Sequence, residues 1–175
     1  MKKVIIMAIM LMTGISLYAQ TLSYRSDGYK WSLSYTNSVM LPFFLDYNGI
    51  DTSHGYMLNS RHYFGCGCGL YMVPSSKFDF PTILHAFAEY KTYWHDGDST
   101  PISGLKLGYA RGVHPDCYVS AVELEPNVGW SWAAKKGYGL SLCLGAKMHL
   151  GKEVVTFANP LWLSIMPTLG IGIEF

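Results

Sequence analysis

Residues 168–175 constrain the fold of this chain more than any other stretch. Leu169, Ile171, Ile173 and Phe175 alternate with Gly170, Gly172 and Glu174, so one side of the segment is apolar and the other nearly empty. A period of two belongs to a strand with two unlike faces. The segment also closes the run 154–173, which carries no charged residue and is long enough that a membrane-spanning helix must be weighed. That run holds Asn159, Pro160, Pro167, Gly170 and Gly172. Proline removes a helix hydrogen bond and glycine weakens a helix, so the run reads as strand. Phe175, on the apolar side, is expected to sit inside a structure or a membrane.

The other end of the chain carries Lys2 and Lys3, then the apolar run 4–12, then Leu17-Tyr18-Ala19 before Gln20. A basic start, a short apolar core and small residues at the boundary predict a cleaved signal peptide over 1–19 and a mature domain over 20–175. Without the two leader lysines, 11 Lys and Arg stand against 12 Asp and Glu. No strong field of either sign remains, which argues against nucleic acid as a partner. About 156 residues suffice for one domain. Charged residues make up only 14% of the chain and apolar ones 50%, against about 25% charged in an average soluble domain. Such a chain has few charges with which to cover a soluble exterior.

Eight alternating segments can be marked, over 30–36, 55–59, 63–73, 82–94, 102–111, 118–133, 138–149 and 161–175. In the first, Trp31, Leu33 and Tyr35 oppose Lys30, Ser32 and Ser34. In the fourth, Leu84, Ala86, Ala88 and Tyr90 oppose His85, Phe87, Glu89 and Lys91. The turn sequences Ser60-Arg61-His62, His95-Asp96-Gly97-Asp98 and Lys135-Lys136-Gly137 separate segments. The expected architecture is an all-β, antiparallel, up-and-down eight-stranded transmembrane barrel.

The less apolar faces are mostly Gly and Ser with about one charge per strand. That would wet a soluble exterior poorly, but it suits a narrow lumen, where glycine leaves room and single charges pair. The expected luminal set is Lys30, Glu89, Lys91, Lys106, Glu125, Lys147 and Glu174. Connections over 39–54, 74–81, 112–117 and 151–160 are longer on average than those over 60–62, 95–101 and 134–137. With an even strand number, the short ones belong on the periplasmic side, with both termini. Tyr93, Trp94, Trp130, Trp132, Tyr138 and Phe175 gather near the same strand ends, as an interfacial girdle would.

The pattern polar-168, glycine-170, apolar-173, aromatic-175, made by Thr168, Gly170, Ile173 and Phe175, resembles the closing-strand signal that outer-membrane β-barrels present to the barrel-assembly machinery. The whole mature sequence resembles the small eight-stranded outer-membrane barrels of the OmpX and OmpA-membrane-domain type, and is most similar to the small barrels of Bacteroidetes. The residues that carry the resemblance are His54-Gly55-Tyr56-Met57-Leu58-Asn59, Gly65-Cys66-Gly67-Cys68-Gly69, Leu107-Gly108-Tyr109, Pro126-Asn127-Val128-Gly129 and the closing pattern. The resemblance implies the fold, a Gram-negative outer-membrane location, and lipid and the assembly machinery as partners. It implies no activity.

Three function classes remain. Lipid A deacylases resembling PagL carry His and Ser two apart on one strand; none of His54, His62, His85, His95, His114 and His149 has Ser two residues later. His85 and Glu89 share a face but stand roughly 13 Å apart along a strand, so no nucleophile–base pair can be named. An open pore conflicts with eight strands, whose interior side chains fill. A structural or surface-interaction role is the leading reading, with Phe43 and Phe44 in the apolar stretch Leu41-Pro42-Phe43-Phe44-Leu45 as candidate outer-loop contacts. A lipid-modifying enzyme and a soluble lipocalin-like barrel are the alternatives. Cys66 and Cys68 flank Gly67 and, with Cys117 and Cys143, have no His or Cys at zinc spacing, so no metal or cofactor is expected; an exported chain with four cysteines can form disulfides, but the spacing singles out no pair.

Overall fold

The computed structural model describes residues 26–40, 45–72, 82–113, 118–135, 137–154 and 161–175. The strands are β1 (Gly28–Met40), β2 (Leu45–Leu58), β3 (His62–Met72), β4 (Thr82–Tyr93), β5 (Ser99–Gly112), β6 (Tyr118–Lys135), β7 (Tyr138–Val154) and β8 (Leu161–Glu174). Each pairs antiparallel with its neighbour in sequence, and β8 pairs back onto β1 to close the barrel. Closure satisfies every strand edge, the requirement for backbone that crosses a membrane as sheet. The expected leader over 1–19 and its expected boundary at Gln20 lie outside the described residues, as do Phe43 and Phe44.

Along every strand, side chains alternate between a buried interior and an exposed wall. The exposed set is apolar and includes Leu33, Leu105, Leu107, Val128, Leu144 and Ile171; the buried set includes Lys30, Ser32, Asp51, Glu89, Lys106 and Glu125. This is the reverse of a soluble barrel, whose interior is apolar, and it sets aside the lipocalin-like reading.

The second strand is longer than its sequence pattern indicates. The stretch 39–54, expected as a loop, is strand for most of its length: Met40 pairs with Leu45 and the β1–β2 ladder runs on to Gly28 and Met57. The alternation is blurred because polar side chains of β2 point outward, where they bond sideways along the wall. His54 Nδ1 lies 2.6 Å from the Tyr29 hydroxyl, His54 Nε2 lies 3.2 Å from Thr52 Oγ1, and Asn48 Oδ1 accepts from Asn37 Nδ2 at 3.0 Å. The connection 41–44 is therefore short, and the contrast in connection length between the two ends of the barrel is smaller than expected.

At the end bearing the connections 59–61, 94–98 and 136–137, Trp94, Trp130 and Trp132 stand exposed on the wall. Tyr93 does not join them. Odd-numbered residues of β4 point inward, and Tyr93 is buried with Met57, Tyr63 and Ile102 in an apolar cluster that fills this end of the lumen. A second apolar cluster, Met40, Tyr47, Tyr71, Ile83, Ala110, Val119 and Met166, fills the other end. The polar interior is enclosed between the two.

Candidate functional site: a buried ionic lumen

The β4–β5–β6 ladder places Glu89, Lys106 and Glu125 side by side in one row. The Lys106 ammonium nevertheless reaches across the lumen to Asp51 Oδ2 on β2, at 2.8 Å. The other Asp51 oxygen accepts from His85 Nε2 on β4, also at 2.8 Å. The second ring nitrogen, Nδ1, lies 3.3 Å from Glu123 Oε1 and hydrogen-bonds with the Tyr71 hydroxyl at 3.4 Å. Glu123 Oε2 lies 3.1 Å from His149 Nε2. Lys147 lies 3.3 Å from Glu125 Oε2 and hydrogen-bonds the Tyr71 hydroxyl. Nearer the other end, Lys91 bridges Glu89 Oε1 at 3.2 Å and Glu174 Oε1 at 3.3 Å, and Ser131 donates to Glu174 Oε2.

All seven charged residues marked in the sequence face the lumen. Lys91, Lys147 and the three glutamates are brought together, whereas the Lys106 ammonium pairs with Asp51. Lys30 is buried at the end near Phe175. The sequence reading missed Asp51, Glu123, and the part played by His85 and His149. Among the described residues, four luminal lysines thus meet five carboxylates, with two histidines between them. Such groups survive burial only because each charge has partners. Desolvation costs several kcal/mol per ion, and mutual attraction with good geometry must offset it.

Glycine makes the room. Gly65, Gly67 and Gly69 face inward on β3. A Cβ at Gly67 would lie 2.5 Å from the Phe87 ring, and one at Gly69 would collide with both Asp51 Oδ1 and His85 Nε2. The glycine stripe is the floor on which the Asp51–His85 pair and Phe87 rest. Lys106 also sits over the Phe87 ring, 4.8 Å from its centre. Cys66 and Cys68, of opposite parity, are exposed free thiols on the outer wall.

The closing-strand residues divide between the two faces. Ile173 points outward and Thr168 is buried in the lumen, where Ser38 donates to its hydroxyl. Phe175 exchanges backbone hydrogen bonds with Trp31, at 3.1 and 2.8 Å, and their rings stack with centres 4.2 Å apart. This aromatic pair ends the β1–β8 seam on the outer face. Phe175→Asp is therefore expected to cut the yield of membrane-inserted barrel several-fold, and Glu174→Gln much less, because Lys91 keeps Glu89. Immunoblots of membrane fractions check this; equal yields would count against a role for Phe175 in assembly.

The side chains of His85 and Glu123 are fully buried and Lys147 is 1% exposed. No three His, Cys, Asp or Glu side chains among the described residues converge as a metal site would.

No protein-family model matches the chain, and no curated protein matches it. Solved structures do. Neisserial surface protein A (NspA) aligns with a TM-score of 0.61 at 12% identity, over 85% of this chain and 95% of its own. The outer membrane enzyme PagL aligns with a TM-score of 0.58 at 11% identity, over 81% and 97%. The N-terminal β-barrel domain of Pseudomonas aeruginosa OprF aligns with a TM-score of 0.52 at 12% identity, over 86% and 100%. At these identities the likeness is one of fold, and the fold is that of the small eight-stranded outer-membrane barrels.

Proposed function

We propose that this chain is a non-enzymatic outer-membrane barrel of a Gram-negative cell, with a structural or surface-interaction role and a filled lumen that is not an open pore. The observation that carries the reading is the enclosed interior, with paired charges in the middle and apolar side chains at each end. The apolar outer wall supports lipid as its surroundings. The leader over 1–19 supports export, and the closing-strand pattern supports handling by the barrel-assembly machinery. The likeness to Bacteroidetes small barrels, and Phe43 and Phe44 as contact residues for a surface partner, belong to the same reading.

The purified barrel in planar bilayers is expected to give no current steps above the lipid baseline, and lipid A from cells overproducing it is expected to keep its mass. Regular open-channel steps would sink the filled-lumen reading. A loss of acyl mass that depends on the protein would replace it with the lipid-modifying one.

A further inference from the structure

Among the described luminal ion pairs, Lys106–Asp51 stands apart. Lys91 is divided between Glu89 and Glu174, at 3.2 and 3.3 Å, and Lys147 between Glu125 and Glu123, at 3.3 and 3.9 Å. Lys106 is committed to Asp51 at 2.8 Å. That carboxyl group is held from its other side too, since Oδ1 accepts from His85 Nε2 at 2.8 Å. Asp51 is 1% exposed and Lys106 6%, and the Phe87 ring lies against the ammonium. A lysine nitrogen is thus fixed against a carboxyl group, away from solvent, with a hydrogen-bond donor already set on the second oxygen. Beside Lys106 in the ladder, Glu89 is buried as well, and its Oε2 has no hydrogen-bond partner.

We propose that Lys106 and Asp51 become joined in the folded barrel by an amide bond between Nζ and Cγ, a covalent tie from β5 to β2 that forms with loss of one water. The ion pair is the resting form. A proton shift along the 2.8 Å hydrogen bond converts it to amine and carboxylic acid, with the proton on Oδ2. Only that rare form reacts. Confinement offsets its rarity, because groups held in reacting geometry behave as if at about 10⁵–10⁸ M. The amine lone pair attacks Cγ, and the developing negative charge falls on Oδ1, to which His85 Nε2 already donates. A second proton then leaves the nitrogen for Oδ2, directly or by way of Glu89, which borders the same cavity as Lys106. The Cγ–Oδ2 bond breaks and Oδ2 departs as water. Of the three ammonium protons, one stays on the amide nitrogen and two leave with Oδ2, so the step needs no oxidant, reductant or cofactor. The partners stand 55 positions apart in the chain, so the amide forms only after folding has brought β2 and β5 face to face.

The test is the intact mass of barrel that has been folded and then fully denatured, followed by protease digestion and tandem mass spectrometry. A mass lighter by one water than that of the same chain never allowed to fold is expected, with a fragment in which the peptides of residues 51 and 106 are joined. Asp51→Asn is expected to lose ammonia in place of water and to give the same joined fragment. Lys106→Arg, which keeps the positive charge, is expected to keep its full mass. Wild-type barrel that still has its full mass after days in the folded state overturns the proposal, and that reading needs no variant to fold. A water loss without the joined fragment, the mark of an aspartate cyclised within one strand, also overturns it, as does a water loss that persists in Lys106→Arg.

Discussion

Asp51→Ala is expected to destabilise the barrel by about 3–5 kcal/mol, the range for removing one partner of a buried ion pair. The loss falls on two groups at once. Lys106 and His85 each hold one Asp51 oxygen at 2.8 Å, and the Lys106 ammonium and the His85 ring would both be left facing an uncompensated space. Asp51→Asn should do less harm, because the amide keeps the shape and one acceptor. Leu107→Ala, at a position 54% exposed on the outer wall, should cost still less in a lipid surrounding. Urea titration of the refolded barrel, read by the mobility of unheated samples on gels, ranks the three. If Leu107→Ala proved the most damaging, the inward and outward faces would have to be exchanged.

Gly69→Ala and Gly170→Ala make the same chemical change on luminal positions of one barrel, and opposite results are expected. At Gly69 the new methyl group would push into both Asp51 Oδ1 and His85 Nε2, and would stand 2.8 Å from the Ile50 carbonyl oxygen. Overpacking and a broken buried hydrogen bond then add, for about 3 kcal/mol or more. At Gly170 the methyl finds ordinary contact distances, and the change should fall within about 0.5 kcal/mol of neutral, as for a site without such features. The comparison needs only the two unfolding midpoints. Equal midpoints would mean that the glycine stripe of β3 does not support the Asp51–His85 pair.

What the sequence displayed and what it concealed follow from side-chain parity. β8 and β4 are legible because their charged and glycine residues keep one parity over many positions, as His85, Glu89 and Lys91 do against Leu84, Ala86, Ala88 and Tyr90, even though Phe87 and Tyr93 point inward too. β2 was not, because its outward positions include Asn48, Thr52 and His54, while Tyr47 and Met57 fill the lumen. Both exceptions have physical causes. The outward polar groups bond to neighbours along the wall, and the inward apolar ones close the two ends. Losing β2 meant losing Asp51, the residue on which Lys106 and His85 converge. Glu123 and His149 were within reach, since they share the parity of Glu125 and Lys147. The site's partnerships were not, because Lys106, flanked by two glutamates in the ladder, sends its ammonium across to Asp51 on the opposite wall. Parity reports the face of a strand, not the direction of a long side chain once inside.

That crossing has a consequence for how the barrel comes to exist. Hydrogen-bonded neighbours in this fold are sequential hairpins, which could zip one at a time with little loop-closure cost. The bonds Lys106–Asp51, His85–Glu123 and Lys91–Glu174 join β5 to β2, β4 to β6 and β4 to β8, none of which share a ladder. They become available only when the sheet has curled nearly shut. An open sheet in lipid would carry the same acids and lysines without partners, at several kcal/mol each. Partly closed states are therefore penalised on both sides, and closure is expected to be all-or-none and late. Opening must break several of these ties together, so the finished barrel should be long-lived even where its equilibrium stability is modest.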